Sequence, residues 1–111
     1  MSIEEGSCEH VAEFLAALSH PKRVKVLALL REGPKTVVEL AKGIELSQSA
    51  TSQHLQILRK FGIVSVTRVG NQNYYSIADL RVLQLCGLAQ KIVSDRAREL
   101  SEKVATVKFG S

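Results

Sequence analysis

The sequence lacks tryptophan, and its 111 residues include only two cysteines, two prolines and 5% aromatic side chains. Cys8 and Cys86 are too few for the disulfide framework of a small secreted domain, and neither belongs to a Cys-x-x-Cys pair. No run of about 18 apolar residues is present, and the opening segment MSIEEGSCEH is acidic where a signal peptide is basic and then apolar. These absences predict a soluble, cytoplasmic protein with reduced thiols and no membrane partner.

The composition that remains is that of one small folded domain. Hydrophobic residues make up 45% of the chain, which excludes a disordered protein, and the length allows a single domain over residues 1–111. A fold of this size buries only about two-thirds of its unfolded surface, so a second copy would add useful buried area. The formal net charge of +4 is compatible with a nucleic-acid partner without demonstrating one.

The spacing of apolar and capping residues predicts four short helices in the first half of the chain. Pro21 suits the first turn of the second helix, and Thr36 with Glu39 forms a capping box for the third, which we expect to end at Gly43. Ser47 caps the fourth helix. The expected ranges are residues 10–18, 21–32, 36–43 and 48–61, with residues 1–9 as an N-terminal arm. In the second helix, the expected core residues are Val24, Leu27, Ala28 and Leu30.

A β-hairpin and one long helix are predicted in the second half. The apolar period changes to two after Gly62, and Gly70-Asn71 is a typical hairpin turn between the two short strands. The predicted last helix covers residues 79–105. It carries an apolar stripe from Val82 to Val104 that is wider than one small chain can bury. The predicted fold class is therefore mainly α with a small β-hairpin: a winged helix-turn-helix of order α-α-α-α-β-β-α that forms a homodimer.

The fourth helix has the polar face that a DNA recognition helix needs. Glutamine can form two hydrogen bonds to adenine, and serine can bond several bases or a phosphate. A solvated surface helix is the alternative, but such faces usually carry glutamate and lysine, and this one carries no charge. The sequence thus predicts that this helix binds the major groove of double-stranded DNA. The residues of the face are Gln48, Ser49, Ser52, Gln53 and Gln56.

Four further residues flank this face or lie at the hairpin tip. His54 is expected either to contact DNA or to serve as a hydrogen-bonded structural residue. Arg68, Asn71 and Gln72 suit a wing that follows the DNA backbone or enters the minor groove, although a solvated turn would look similar.

Residues 18–79 resemble the ArsR/SmtB family of small dimeric bacterial repressors. The resemblance is carried by the SHPKR entry to the second helix, the segment VVELAKGIELSQSATSQHLQILRKFGIV and the hairpin VGNQNYYSI. With the flanking helices, it extends over about residues 10–105. It implies a winged-helix homodimer joined through its first and last helices, which represses transcription at an operator and releases the DNA when an inducer arrives.

The resemblance also allows a search for the metal sites of this family. Metal-sensing members carry a cysteine box in the third helix, where this chain has ELAKGIEL. Other members place carboxylates and imidazoles on the last helix, where this chain has Asp79, Arg81, Ile92 and Asp95. Because zinc prefers nitrogen or sulfur ligands, no metal site is predicted, and Asp79 is expected to cap the last helix. No cofactor is expected to be required.

Cys8 and Cys86 are the remaining candidates for an inducer site. Cys86 lies on the apolar stripe of the last helix and Cys8 precedes the first helix, and the resembled dimer places these helices in one bundle. A thiol-based switch could respond to an oxidant, to reactive sulfur, to a soft thiophilic metal or to arsenite, and the bond could form within or between chains. The alternative for Cys86 is a small buried hydrophobic residue.

Two other classes of function are alternatives to a repressor: an interaction or architectural module and an enzyme. A winged-helix protein-interaction or architectural module would keep the fold but lack sensing of a small molecule or redox signal. An enzyme is not predicted, because the sequence shows no phosphate-binding loop, catalytic triad order or paired carboxylates.

Overall fold

A computed structural model describes the backbone of residues 5–109 and the side chains of residues 6–102. Residues 1–4 of the predicted N-terminal arm and the side chain of Val104 lie outside this description. The observed order of elements confirms the predicted winged helix-turn-helix. The elements are α1 (Glu5–Leu18), α2 (Pro21–Leu30), α3 (Val37–Ile44), α4 (Gln48–Lys60), β1 (Val64–Val69), β2 (Gln72–Ile77) and α5 (Arg81–Phe109).

Helix α1 begins earlier than predicted, at Glu5 and not at His10. Within this added part, His10 Nδ1 lies 3.0 Å from the carbonyl oxygen of Gly6. Cys8 therefore belongs to α1 and does not lie in an arm before it. The apolar stripe starts only at Val11, so the preceding turns carry no periodic signal that could have revealed them.

Helix α2 has the predicted start and a different buried face. Pro21 occupies the first turn, and His20 caps the helix by accepting a hydrogen bond from the Lys22 amide at 3.1 Å. The helix ends at Leu30 and continues as a turn through Glu32. The expected burial of Val24 and Ala28 is wrong, because the helix turns both toward solvent. Its buried residues are Val26, Leu27 and Leu30.

Helix α3 confirms the predicted capping box but not the predicted end. The Thr36 hydroxyl accepts a bond from the Glu39 amide, and the Glu39 carboxylate accepts one from the Thr36 amide at 3.0 Å. The helix passes through Gly43 and is capped by Glu45, whose φ of 58° is left-handed. A Cβ at Gly43 would stand 2.5 Å from Leu29 Cδ1. Gly43 thus permits a close approach of α3 to α2 instead of ending the helix.

In the unit that ends at Leu80, the largest buried side chains come from α2, α3, α4 and the start of the hairpin. These side chains are almost fully excluded from solvent and pack as one apolar cluster. The largest of them are Leu27, Leu40, Ile44, Leu55, Leu58 and Ile63. This cluster fixes the inner face of α4 and leaves its outer face available.

Strands β1 and β2 form the predicted antiparallel hairpin. Val69 pairs with Gln72, so Gly70 and Asn71 make a two-residue turn, and Gly70 supplies the positive φ of 64° that such turns require. Tyr75 of β2 also pairs with Lys35: the Lys35 amide donates to Tyr75 at 3.0 Å, and the Tyr75 amide donates back at 2.8 Å. The hairpin is thereby joined to the loop before α3.

Helix α5 forms the second unit and spans 29 residues. It begins two residues after Asp79 and extends beyond the predicted end at residue 105. Asp95 lies in exposed ion pairs with Lys91 and Arg98 on this helix. Large apolar side chains on α5 are exposed: Leu85, Leu88, Ile92, Val93 and Leu100. In residues 5–109, no helix combines the length and apolar composition needed to cross a membrane.

Candidate nucleic-acid interface

Helices α3 and α4 form a helix-turn-helix whose second helix is firmly anchored at its start. The Ser47 side chain accepts a hydrogen bond from the Ala50 amide at 3.1 Å, as its predicted capping role requires. Thr51 is fully buried, and its hydroxyl donates to the Ser47 carbonyl oxygen at 2.8 Å. Leu46 in the turn donates its amide to Ala41 of α3 at 3.1 Å. The first turn of α4 is therefore fixed by neighbouring residues of the motif itself.

The outer face of α4 presents the predicted amides and hydroxyls together. Ser52 is half-buried, and the other four side chains are exposed: Gln48, Ser49, Gln53 and Gln56. In the described part of the chain, none of these five side chains forms a hydrogen bond with protein. Their donors and acceptors are available for an external partner, and no acidic side chain of α4 lies among them.

His54 lies beside this face and is held by other residues. The Arg23 Nε–H donates to His54 Nδ1 at 3.1 Å, and the ring of His20 lies 4.5 Å from the ring of His54, centroid to centroid. Burial lowers the pKa of His54, and the electrostatic effects of the neighbouring His20 and Arg23 side chains lower it further. These contacts support a structural role for His54 through Nδ1, the ring nitrogen that is bonded to Arg23.

The predicted wing residues lie at the tip of the hairpin. Arg68, Asn71 and Gln72 are all exposed, and Val69 between them is 61% exposed. Arg68 pairs with Asn73 across the ladder, so its backbone is fixed while its side chain extends into solvent. The tip therefore presents one cation and two amides.

Two functional candidates in α2 were missed from the sequence. Lys22 Nζ donates to the Ile44 carbonyl oxygen at the end of α3 at 2.6 Å, and Arg23 Nη1 donates to the Ala17 carbonyl oxygen of α1 at 3.2 Å. Their position in the first turn of α2 could have indicated a special role, because cations there oppose the helix dipole. Such residues are expected only where another contact holds them.

The two cysteines differ in their surroundings. Cys8 on α1 is exposed and Cys86 on α5 is half-buried, and both are free thiols. Burial raises the pKa of the Cys86 thiol. Within the described residues, no three histidine, cysteine or acidic side chains are grouped so that they could hold a metal ion.

Comparison with known proteins connects this geometry to a family. Residues 20–66 match the model of a family described as bacterial regulatory protein, arsR family. The transcriptional regulator Rv0081 of Mycobacterium tuberculosis is 40% identical over 97 residues, which cover 86% of this chain and 82% of that protein. Its crystal structure has a TM-score of 0.79 at 39% identity and covers 92% of this chain and 100% of that chain.

Two further similarities are informative. A probable mercury resistance operon repressor of Streptomyces lividans is 35% identical over 103 residues, covering 90% of this chain and 82% of that protein. The solution structure of a homodimeric winged helix-turn-helix DNA-binding domain, Mb0332 of Mycobacterium bovis, has a TM-score of 0.78 at 28% identity. That likeness covers 89% of this chain and 93% of the domain.

Proposed function

The chain belongs to the ArsR family of bacterial regulatory proteins, transcriptional regulators and not enzymes, and we propose that it is a homodimeric repressor that binds operator DNA through α4. The single observation that carries this proposal is the uncharged outer face of α4, whose amides and hydroxyls have no hydrogen-bond partner in the described part of the chain. DNA binding itself needs no cofactor, and we place the protein in the cytoplasm.

The chemistry of this face suits the major groove. Gln48, Gln53 and Gln56 each offer a donor and an acceptor, which match the N6 amino group and N7 of adenine. Ser49 and Ser52 lie near the start of the helix, where hydroxyls and free backbone N–H groups can bind phosphate. The helix would thus fix its position on the backbone and recognise bases with the same face.

The wing supplies a second contact with a different physical basis. Arg68 can neutralise a phosphate, and Asn71 and Gln72 can bond the backbone or the minor-groove edge. Replacing Arg68 with alanine is expected to weaken binding to all DNA sequences. The slope of the logarithm of the binding constant against the logarithm of the salt concentration should fall in magnitude by about 1.

The test of base recognition compares two glutamines. We expect Gln53→Ala to cost about 1 to 3 kcal/mol of operator binding with little loss on random DNA. Gln90→Ala is the matched control, because Gln90 is an exposed glutamine of α5 outside the proposed face. The readout is competition between operator and random DNA at fixed salt. Equal losses on both DNAs would favour an architectural module instead.

Dimerisation is supported by apolar side chains that water would otherwise contact. Val11 and Leu15 on α1 are exposed, as is the stripe on α5 that includes Leu88 and Ile92. A two-fold dimer would present two recognition helices to half-sites about 34 Å apart. Light scattering after size exclusion is expected to give two chains, and Ile92→Glu to give one. A monomeric parent protein would contradict this part of the proposal.

We propose Cys8 and Cys86 as the site of derepression by a thiol-reactive inducer. Cys8 is the exposed thiol and so the first point of attack, whereas burial raises the pKa of Cys86 and lowers its thiolate fraction. Joining two thiols removes two electrons and two protons, which an oxidant must accept. Similarity to the probable mercury resistance operon repressor of Streptomyces lividans also favours a thiophilic metal ion as a candidate inducer, bound directly by thiolates.

The sensor is tested by exposing DNA-bound protein to peroxide, polysulfide, arsenite and Hg²⁺ in turn. At least one of these is expected to release the DNA from the parent and not from Cys8→Ser, with the adduct visible by intact mass spectrometry. Ser7→Ala changes the neighbouring exposed side chain of α1 and serves as the control. A Cys8→Ser variant that responds like the parent would refute a role for Cys8.

A further inference from the structure

One short segment, His20 to Arg23, contacts every other helix of the first unit. His20 touches His54 of α4 with its ring, and Lys22 bonds the last turn of α3. Arg23 reaches both the end of α1, at Ala17, and α4, at His54. Polar bonds from this segment therefore link α4 to α1 and α2 in addition to the apolar core.

The Arg23–His54 bond fixes the protonation of His54. A guanidinium has only donors and remains charged, so the Arg23 Nε–H must be the donor and His54 Nδ1 must carry no proton. The neutral ring then bears its proton on Nε2. This nitrogen has no hydrogen-bond partner among the described residues.

The surroundings of His54 oppose a second proton. The titratable and charged groups that act on it are His20, from the turn between α1 and α2, and Arg23 of α2. Both are bases, and among the described residues no carboxylate offsets them at this site. A proton on Nδ1 would also replace the acceptor to which Arg23 donates. Protonation of His54 is therefore incompatible with the observed bond.

We propose that Arg23 and His54 are positioning residues: their hydrogen bond holds α4 in the orientation that specific DNA binding requires, and protonation of His54 in mild acid releases that bond. This inference rests on the proposed function, since it concerns how the recognition helix is held. It also assigns the SHPKR segment a role in DNA specificity that is separate from any inducer site.

The direction of the pH effect distinguishes positioning from a phosphate contact. A histidine that binds phosphate as a cation would strengthen DNA binding as the pH falls. A positioning histidine that loses its bond would weaken binding to the operator relative to random DNA. Because the folded-state pKa of His54 lies below its unfolded value, the stabilising contribution of its neutral form is present above about pH 6.5 and is lost as the pH falls further.

The experiment measures the ratio of operator to random-DNA affinity for the full chain between about pH 7.5 and about pH 5.5. We expect the ratio of the parent to fall with the fraction of protonated His54, by about threefold to tenfold once His54 is fully protonated, the effect of one lost hydrogen bond. In His54→Gln, whose amide oxygen can accept from Arg23 without titrating, the ratio should not change with pH. His10→Gln, which removes an exposed histidine of α1, should behave like the parent. A ratio that rises in acid, or falls equally in His54→Gln, would overturn the proposal.

A second measurement needs no DNA. Nitrogen-15 NMR of the side chains is expected to show His54 protonated on Nε2 alone at neutral pH, with a titration midpoint below that of an unperturbed histidine. In Arg23→Met this titration midpoint should rise, and the ratio of operator to random-DNA affinity should already be low at neutral pH. A doubly protonated or Nδ1-protonated His54 at neutral pH would refute the inference. Absence of operator preference at every pH, with the expected NMR result, would instead refute the proposed function.

Discussion

Replacing Gly43 with alanine is expected to destabilise the protein, although alanine is the better helix former. Gly43 lies within α3, and its backbone is not in the left-handed region, so alanine can adopt its conformation. The added Cβ would stand 2.5 Å from Leu29 Cδ1 and 3.4 Å from Cδ2. Leu29 must therefore leave its position, or α2 and α3 must separate.

The magnitude follows from two opposed effects. Alanine in place of glycine gains about 1 kcal/mol in a helix interior. Overpacking a close contact costs about 1 to 3 kcal/mol. Because Leu29 is half-buried and can turn partly away, we expect the cost to lie near the middle of this range and the net loss to be about 1 kcal/mol.

A double-mutant cycle isolates the contact. Gly43→Ala in a Leu29→Ala background should stabilise by about 1 kcal/mol, because the obstructing side chain is gone. Gly87→Ala is the control: Gly87 is a helical glycine of α5, a Cβ there would meet no atom within 4 Å in the described part of the chain, and the same gain is expected. Urea unfolding at one fixed protein concentration gives these free energies. If Gly43→Ala stabilises the parent as much as Gly87→Ala does, the assigned role of Gly43 is wrong.

Two other substitutions test the ends of α3. Glu45→Gly should raise the free energy of unfolding by about 0.5 kcal/mol, because relief of the left-handed backbone strain at Glu45 exceeds the entropy cost of glycine. A lower midpoint of thermal unfolding in this variant would contradict the prediction. Thr36→Ala should cost about 1 kcal/mol by removing the cap. Hydrogen bonds from Thr36 lower the pKa of Glu39, so the capping box stabilises the fold above the usual carboxyl pKa and loses this effect as the pH falls through the lowered value. The penalty of Thr36→Ala should therefore shrink in acid, and a carboxyl NMR titration should show the pKa of Glu39 rising in this variant.

The features predicted well from the sequence are those with a local cause. The Thr36 capping box, the Ser47 cap and the Gly70-Asn71 turn each depend on residues within a few positions of one another, and all are present. The outer face of α4 was likewise predictable, because a helix places residues three and four positions apart on one side.

The features missed depend on contacts between distant segments. Gly43 resembles a helix terminator until Leu29 is seen beside it. The bond between Arg23 and His54 joins residues 31 positions apart, so nothing local predicts it. The buried side of α2 is decided by α3 and α4 around it, which is why Val24 was wrongly assigned to the core.

The paired hydrogen bonds between Lys35 and Tyr75 bear on the thermodynamics of DNA binding. An isolated two-stranded hairpin is marginally stable in water, so a wing without further support would have to be ordered by the DNA. Here the second strand is tied to the loop before α3, and the hairpin backbone loses its conformational freedom when the helices fold. In the proposed complex with DNA, the entropy of ordering this paired part of the hairpin is therefore not subtracted from the affinity.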